Sequence, residues 1–160
     1  VSRINDIKLV VVGKTTGAGR QGWMFEEVLD LPRKLSIEDR VIFTGFVPDE
    51  DLNFLVNGAQ AFVFATLYEG FGIPVIDAMA AGIPVITSNT ASLPEAAGKA
   101  ALLVDPYSVD QIEQAIRTIT TDKKLHSKLS KLGILQAKKF SWKKCAKETL
   151  KVFEGLTNNP

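Results

Sequence analysis

Two acids stand eight positions apart in the apolar stretch LYEGFGIPVIDAMAAGIPV, Leu67 to Val85: Glu69 and Asp77. Gly70 and Gly72 flank Phe71 between them. Glycines let the backbone pass close to a ligand and adopt angles that a side chain forbids. Pro74 suits the first turn of a helix, and the free amides and dipole at such a start favour an anion such as a phosphate. A diphosphate can rest there. One turn further on, the Asp77 carboxylate can accept two hydrogen bonds from a vicinal diol of the kind ribose supplies. The alternative chemistry is local: both acids merely complement the helix dipole and cap its amides.

The elements that must position these acids follow from the apolar pattern. Ile7 to Val12 (IKLVVV) reads as a buried strand, and Trp23 to Leu31 as a helix stopped by Pro32. Val41 to Phe43 reads as a short strand, and Asp49 to Asn57 as a helix that Asp49 can cap. Ala61 to Leu67 (AFVFATL) is a continuous apolar run, as in a strand covered on both faces. A helix over about Pro74 to Ala81 follows, with Gly82 at its stop. Then come a strand over Pro84 to Thr87, a short helix over Leu93 to Ala97 and a strand over Ala101 to Val104. From about residue 109 the chain is helical: Val109 to Thr121, a segment around Leu125, Leu129 and Leu132, and a last helix capped by Ser141 with Trp142, Ala146, Leu150 and Phe153 on one face.

Strands alternating with helices predict an α/β, doubly wound parallel sheet of Rossmann-like type, and 160 residues suit a single domain over 1–160. In such sheets the ligand crevice lies beyond the carboxyl ends of the strands. Glu69, just after AFVFATL, is therefore on the functional side.

Hydrophobic residues make up 46% and charged residues 23% of the chain, ordinary usage that suggests neither disorder nor a fibrous repeat. No apolar run reaches membrane-spanning length. The single cysteine, Cys145, has no internal partner and is expected to be a half-buried structural thiol. The single histidine, His126, is expected on a solvated lysine-rich helix face, which leaves no histidine-based metal site or triad. Between Arg117 and Lys151, eleven bases face two acids, a local net of +9 in a chain of net +1. Solvated lysine faces are the plainer account of that tail; contact with an anionic membrane surface is the functional one, and nucleic acid is not expected as a partner. The opening VSRINDIKLVVVG has neither an initiator methionine nor a signal-peptide pattern, as expected of a piece of a longer chain.

GAGRQG, Gly17 to Gly22, matches G-x-G-x-x-G letter for letter. In the dinucleotide fingerprint the first glycine follows its strand directly, whereas Lys14, Thr15 and Thr16 intervene here after Gly13. VIFTGFVP offers no acid for a ribose before Asp49. An oxidoreductase using Gly17, Gly19 and Gly22 is thus the weaker reading, and a polar connection near the ligand edge the better one.

The run Glu69-Gly70-Phe71-Gly72-Ile73-Pro74-Val75-Ile76-Asp77-Ala78-Met79-Ala80-Ala81-Gly82-Ile83-Pro84-Val85 closely resembles the E-x7-E signature of the retaining group-one glycosyltransferases of GT-B fold. The likeness extends to Val41–Pro48 (VIFTGFVP), Ser92–Glu95 (SLPE), Ala100–Pro106 (AALLVDP) and Phe140-Ser141-Trp142, so it covers nearly the whole chain. It implies that this is the C-terminal, donor-binding half of a two-domain enzyme, with an N-terminal domain beyond this chain. By position, the resemblance gives Glu69 the transferred sugar's hydroxyls as the catalytic contact. Gly70, Phe71, Gly72 and Ile73 would present backbone amides to sugar or diphosphate, and Asp77 would bind the ribose. Phe46 and Val47 would lie against the nucleobase, with the Val47 backbone reading its edge.

The implied reaction moves a hexose from a UDP- or GDP-sugar to the hydroxyl of a glycan, polysaccharide or lipid-linked acceptor, with retention and without metal or other cofactor. The implied setting is the cytoplasm, with the inner face of the membrane in reach of the basic tail. Two residues depart from the pattern: Asp77 stands where glutamate is usual, and Ala65 where proline is frequent. The family's diphosphate-clamping arginine and lysine would precede Val1, and Lys14 and Arg20 do not match them. This stretch alone is therefore expected to bind nucleotide weakly and to be inactive. A catalytically inactive nucleotide-binding or regulatory module of the same fold is the alternative that Asp77 allows.

Overall fold

The computed structural model describes residues 1–13 and 25–157, with side chains of residues 27–156 in the second stretch. The chain divides into two compact units, Val1–Leu55 and Val56–Pro160. The glycine-bearing segment Gly17 to Gly22, and Trp23, lie outside the described residues.

In the first unit, β1 (Leu9–Val12) and β2 (Val41–Gly45) form a parallel pair, with Leu9 opposite Val41 and Val11 opposite Phe43. Burial alternates along β1, so the expected fully buried strand is covered on one face only, with Val10 and Val12 exposed on the other. Helix α1 (Phe25–Lys34) runs through Pro32 rather than ending before it. Proline removes one amide donor, but its fixed φ is already helical. The Leu35 amide still bonds the Leu31 carbonyl at 3.0 Å, and the Ile37 amide bonds that of Pro32 at 2.9 Å. Arg40 anchors the N-terminal segment by donating to the carbonyls of Val1 and Ile4. Helix α2 spans Asp49–Asn57 as expected, but Asp49 is its first residue, and the Leu52 amide bonds the Pro48 carbonyl at 2.9 Å.

The second unit is built on the parallel sheet β3 (Phe62–Phe64), β4 (Val85–Ser88) and β5 (Ala101–Val104), in the order β3-β4-β5. Register pairs Phe62 with Val85 and Val85 with Ala101. All four residues of β4 are buried, as a central strand with both faces covered requires. One face packs Val85, Phe62 and Phe64 against Val75, Ala78 and Met79 of α3 (Ile73–Ala80) and Leu93 and Ala97 of α4 (Leu93–Ala97). The other packs Ile86 and Val104 against Ala115 and Ile119 of α5 (Val109–Thr121), with Ala61 and Ala65 beside them. Helix α6 (Lys123–Ala137) reaches both clusters, through Leu129 and Ala137. Helices therefore cover both faces of the parallel sheet, and the α/β expectation holds.

Side chains set several boundaries. Ser108 caps α5 by accepting from the Gln111 amide, and Asp122 caps α6 by accepting from Lys124 and Leu125. Ser141 meets the Lys144 amide at 3.4 Å and starts α7 (Trp142–Thr157). Two expectations about lone residues change. Cys145 is exposed, because α7 lies in solvent along its length and offers no core to hold a thiol. His126 is half-buried rather than solvated, its Nε2 lying 3.0 Å from the Gln60 carbonyl just ahead of β3. Among the described residues, no helix is long and apolar enough to cross a membrane.

Candidate functional site

β3 ends at Phe64, and the chain then runs past the carboxyl edge of the sheet to Glu69 before entering α3 at Ile73. The turn into the helix is made at Gly72, whose φ of 91° suits glycine, and which is buried. A Cβ at that position would stand 2.7 Å from Leu93 Cδ2. Gly70, by contrast, has open space around it. In the first turn of α3 the Val75 and Ile76 amides both bond the Gly72 carbonyl, at 3.0 and 3.3 Å, and Pro74 has no amide to offer. Ile73 is the first-turn donor that the helix itself does not use.

The structure gathers Glu69, Gly70, Phe71, Gly72, Ile73 and Asp77 on this one loop and helix start. Glu69 is half-buried, with Ser92 Oγ donating to its carbonyl at 2.8 Å. Phe71 and Ile73 are close to half exposed, large apolar surfaces held at the rim. Phe71 meets Phe140, just beyond the end of α6, edge to face at 5.7 Å between ring centres. Asp77 is exposed, five residues into α3. Phe46 and Val47 follow β2 in the other unit, at the carboxyl end of that strand, with Phe46 69% exposed and Val47 half-buried.

The sequence assigns no role to Thr87, Ser88, Thr90 or Ser92, although Ser92 opens the SLPE stretch that carries part of the resemblance. Their hydroxyls donate in turn to the carbonyls of Phe64, Thr66, Leu67 and Glu69. Four hydroxyl residues within TSNTAS, two at the end of β4 and two between it and α4, were the available signal. Nothing in the Phe140-Ser141-Trp142 tail marks Phe140 as the ring that meets Phe71.

A glycine-turned loop with two acids and a helix start, at the carboxyl edge of a parallel sheet, stands where open α/β sheets bind their ligands. The chain belongs to the glycosyl transferases group 1, whose family model matches residues 1–136. It is 38% identical over 139 residues to O-antigen chain mannosyltransferase B of Escherichia coli, covering 87% of this chain and 36% of that relative. It is 34% identical over 131 residues to mannosylfructose-phosphate synthase of Agrobacterium fabrum, covering 80% and 29%. Among solved structures, sucrose-phosphate synthase of Thermosynechococcus elongatus matches 99% of this chain and 41% of its own, with a TM-score of 0.90 at 27% identity. The chain thus spans only 29% to 36% of the length of the two curated relatives.

Proposed function

We propose that the protein transfers a hexose from a nucleotide diphosphate sugar to a hydroxyl of a glycan, polysaccharide or lipid-linked acceptor, with retention, and that this chain supplies the donor-binding half. What carries the reading is the Glu69–Ile73 loop: one carboxylate, two glycines and an unused helix-start amide at the carboxyl edge of β3. The chemistry needs charge stabilised at two points. An oxocarbenium-like sugar develops positive charge, which the Glu69 carboxylate and the hydroxyls it orients can hold in place. The departing diphosphate keeps negative charge, which fixed amide dipoles at Gly70–Ile73 and the start of α3 stabilise without reorganising. Asp77 takes the ribose diol. Mannose is the favoured hexose, because relatives at 33% to 38% identity are named for its transfer.

The full-length protein should bind UDP or GDP better than NAD, and Asp77→Ala should weaken that binding about 10- to 100-fold, the loss expected from charge-assisted hydrogen bonds to a diol. NAD as the best ligand, together with unchanged UDP and GDP binding in Asp77→Ala, would refute the reading. Adding EDTA should leave transfer unchanged. Because Asp77 is one methylene shorter than the glutamate usual at that place, an inactive nucleotide-binding module is the second reading. Tight nucleotide binding without turnover of GDP-mannose or UDP-glucose would select it.

A further inference from the structure

Past Phe64 the loop leaves the sheet, yet its carbonyls are not released to solvent. Thr87 Oγ1 donates to Phe64 at 2.9 Å, Ser88 Oγ to Thr66, Thr90 Oγ1 to Leu67 at 3.3 Å, and Ser92 Oγ to Glu69 at 2.8 Å. Every donor lies 22 or 23 positions beyond its acceptor, so the two segments still run parallel and in step. Side-chain hydroxyls have taken over from backbone amides where β3–β4 pairing stops. Three features show that this row is not incidental to the local fold. Ser92 occupies the N-cap position of α4, where a serine ordinarily accepts from its own helix, but it makes no such cap and spends its hydroxyl on Glu69 instead. Ala91, between Thr90 and Ser92, holds a φ of 53°, a left-handed conformation that strains a residue with a Cβ. Thr66 Oγ1 is buried without a hydrogen-bond partner among the described residues, so the segment stays put against a polar penalty.

We infer that Thr87, Ser88, Thr90 and above all Ser92 are positioning residues, a row of hydroxyls that fixes the backbone carrying Glu69 so that its carboxylate meets the donor sugar at one distance. The inference rests on the reading of Glu69 as the sugar contact. Hydroxyl pins suit the task better than continued strand pairing. They fix carbonyl positions from Thr66 to Glu69 and leave the chain free to turn at Gly70 and Gly72.

The test uses the full-length protein with Ser92→Ala, Ser92→Thr, Thr90→Val and Glu69→Gln. Amide exchange of the peptide over residues 66–73 should quicken about five- to tenfold in Ser92→Ala, the opening expected when one hydrogen bond is lost, and less in Thr90→Val. Exchange in β4 should not change. On GDP-mannose or UDP-glucose, Ser92→Ala should lower kcat about 10- to 100-fold with KM for the donor little altered, as misplacement of a reacting group by up to 1 Å does. Ser92→Thr should restore both. Unchanged exchange over 66–73, or unchanged kcat beside a Glu69→Gln that abolishes transfer, overturns the positioning role alone. A fall in thermal stability without a change in kcat would mark Ser92 as structural and overturn it too. Unchanged transfer in Glu69→Gln removes the reading of the site itself, and this inference with it.

Discussion

Gly72→Ala tests the geometry on which the site depends. The new Cβ meets two penalties that can be separated. The backbone at φ 91° is left-handed, which raises the energy of an alanine by about 1–2 kcal/mol. The Cβ would also stand 2.7 Å from Leu93 Cδ2, and Leu93 is fully buried, so its methyl has little room to give; such overpacking costs about 1–3 kcal/mol. Together they should destabilise the chain by about 2–5 kcal/mol, read as a lower midpoint of urea unfolding followed by far-UV circular dichroism with an unchanged slope. Gly70→Ala is the control two residues away, where a Cβ meets open space, and should stay within about 0.5 kcal/mol of the parent. Adding Leu93→Ala divides the effect further. Alone it should cost about 2–5 kcal/mol, but in the double variant the steric part of Gly72→Ala vanishes and the pair should be about 1–3 kcal/mol less destabilised than the sum. Equal stability of the two glycine variants would refute the reasoning about Gly72. Strict additivity with Leu93→Ala would leave only the backbone penalty and refute the contact.

Met79→Ala should destabilise by about 2–5 kcal/mol in the same unfolding experiment, because Met79 is fully buried between the sheet and α6 and its removal leaves a cavity. A loss under about 0.5 kcal/mol, the size of a surface effect, would contradict that packing. Cys145 in the 160-residue chain should react with a maleimide under native conditions about as fast as in urea, since it is exposed on α7. Strong protection would mean that α7 is covered.

Much of the fold was legible because punctuation residues coincide with tertiary limits. Ala101–Val104, Val109–Thr121 and Leu93–Ala97 have the bounds that their apolar pattern implies, and the structure sets Ser108 and Gly98 at two of those limits. Gly98 turns at φ 56° and passes so close to Gln136 that a Cβ would lie 3.0 Å from its amide. Errors arose where one residue was given a single meaning. Pro32 signals an end by its missing amide, but its φ is also helical, and the chain after it closed another turn. Cys145 was judged by the usual burial of thiols, whereas its position is fixed by the exposure of the whole of α7.

The candidate residues of the loop and helix start can be named from the sequence, whereas the hydroxyls that hold the loop cannot, and one physical circumstance explains the difference. Glu69, Gly72 and Asp77 stand out because carboxylates and paired glycines are unusual beside an apolar run. AFVFATL, however, suggested a strand as far as Leu67, while backbone pairing ends at Phe64. Beyond Phe64 the bonds are made by Ser88, Thr90 and Ser92, and hydroxyl residues at a strand-to-helix junction ordinarily read as turn formers or caps. Nothing in apolar periodicity distinguishes a hydroxyl that caps its own helix from one that reaches across to a neighbouring loop. The distinction lies in backbone angles: the φ of 53° at Ala91 and the uncapped start of α4 place the Ser92 hydroxyl on Glu69. Among the described residues of the second unit, Ala91 is the only non-glycine at positive φ, and it sits against the same loop as the unpartnered Thr66 hydroxyl and the left-handed Gly72. Local rules are thus broken together along one edge of a sheet whose central strand obeys them, the arrangement that the positioning role proposed for Ser92 requires.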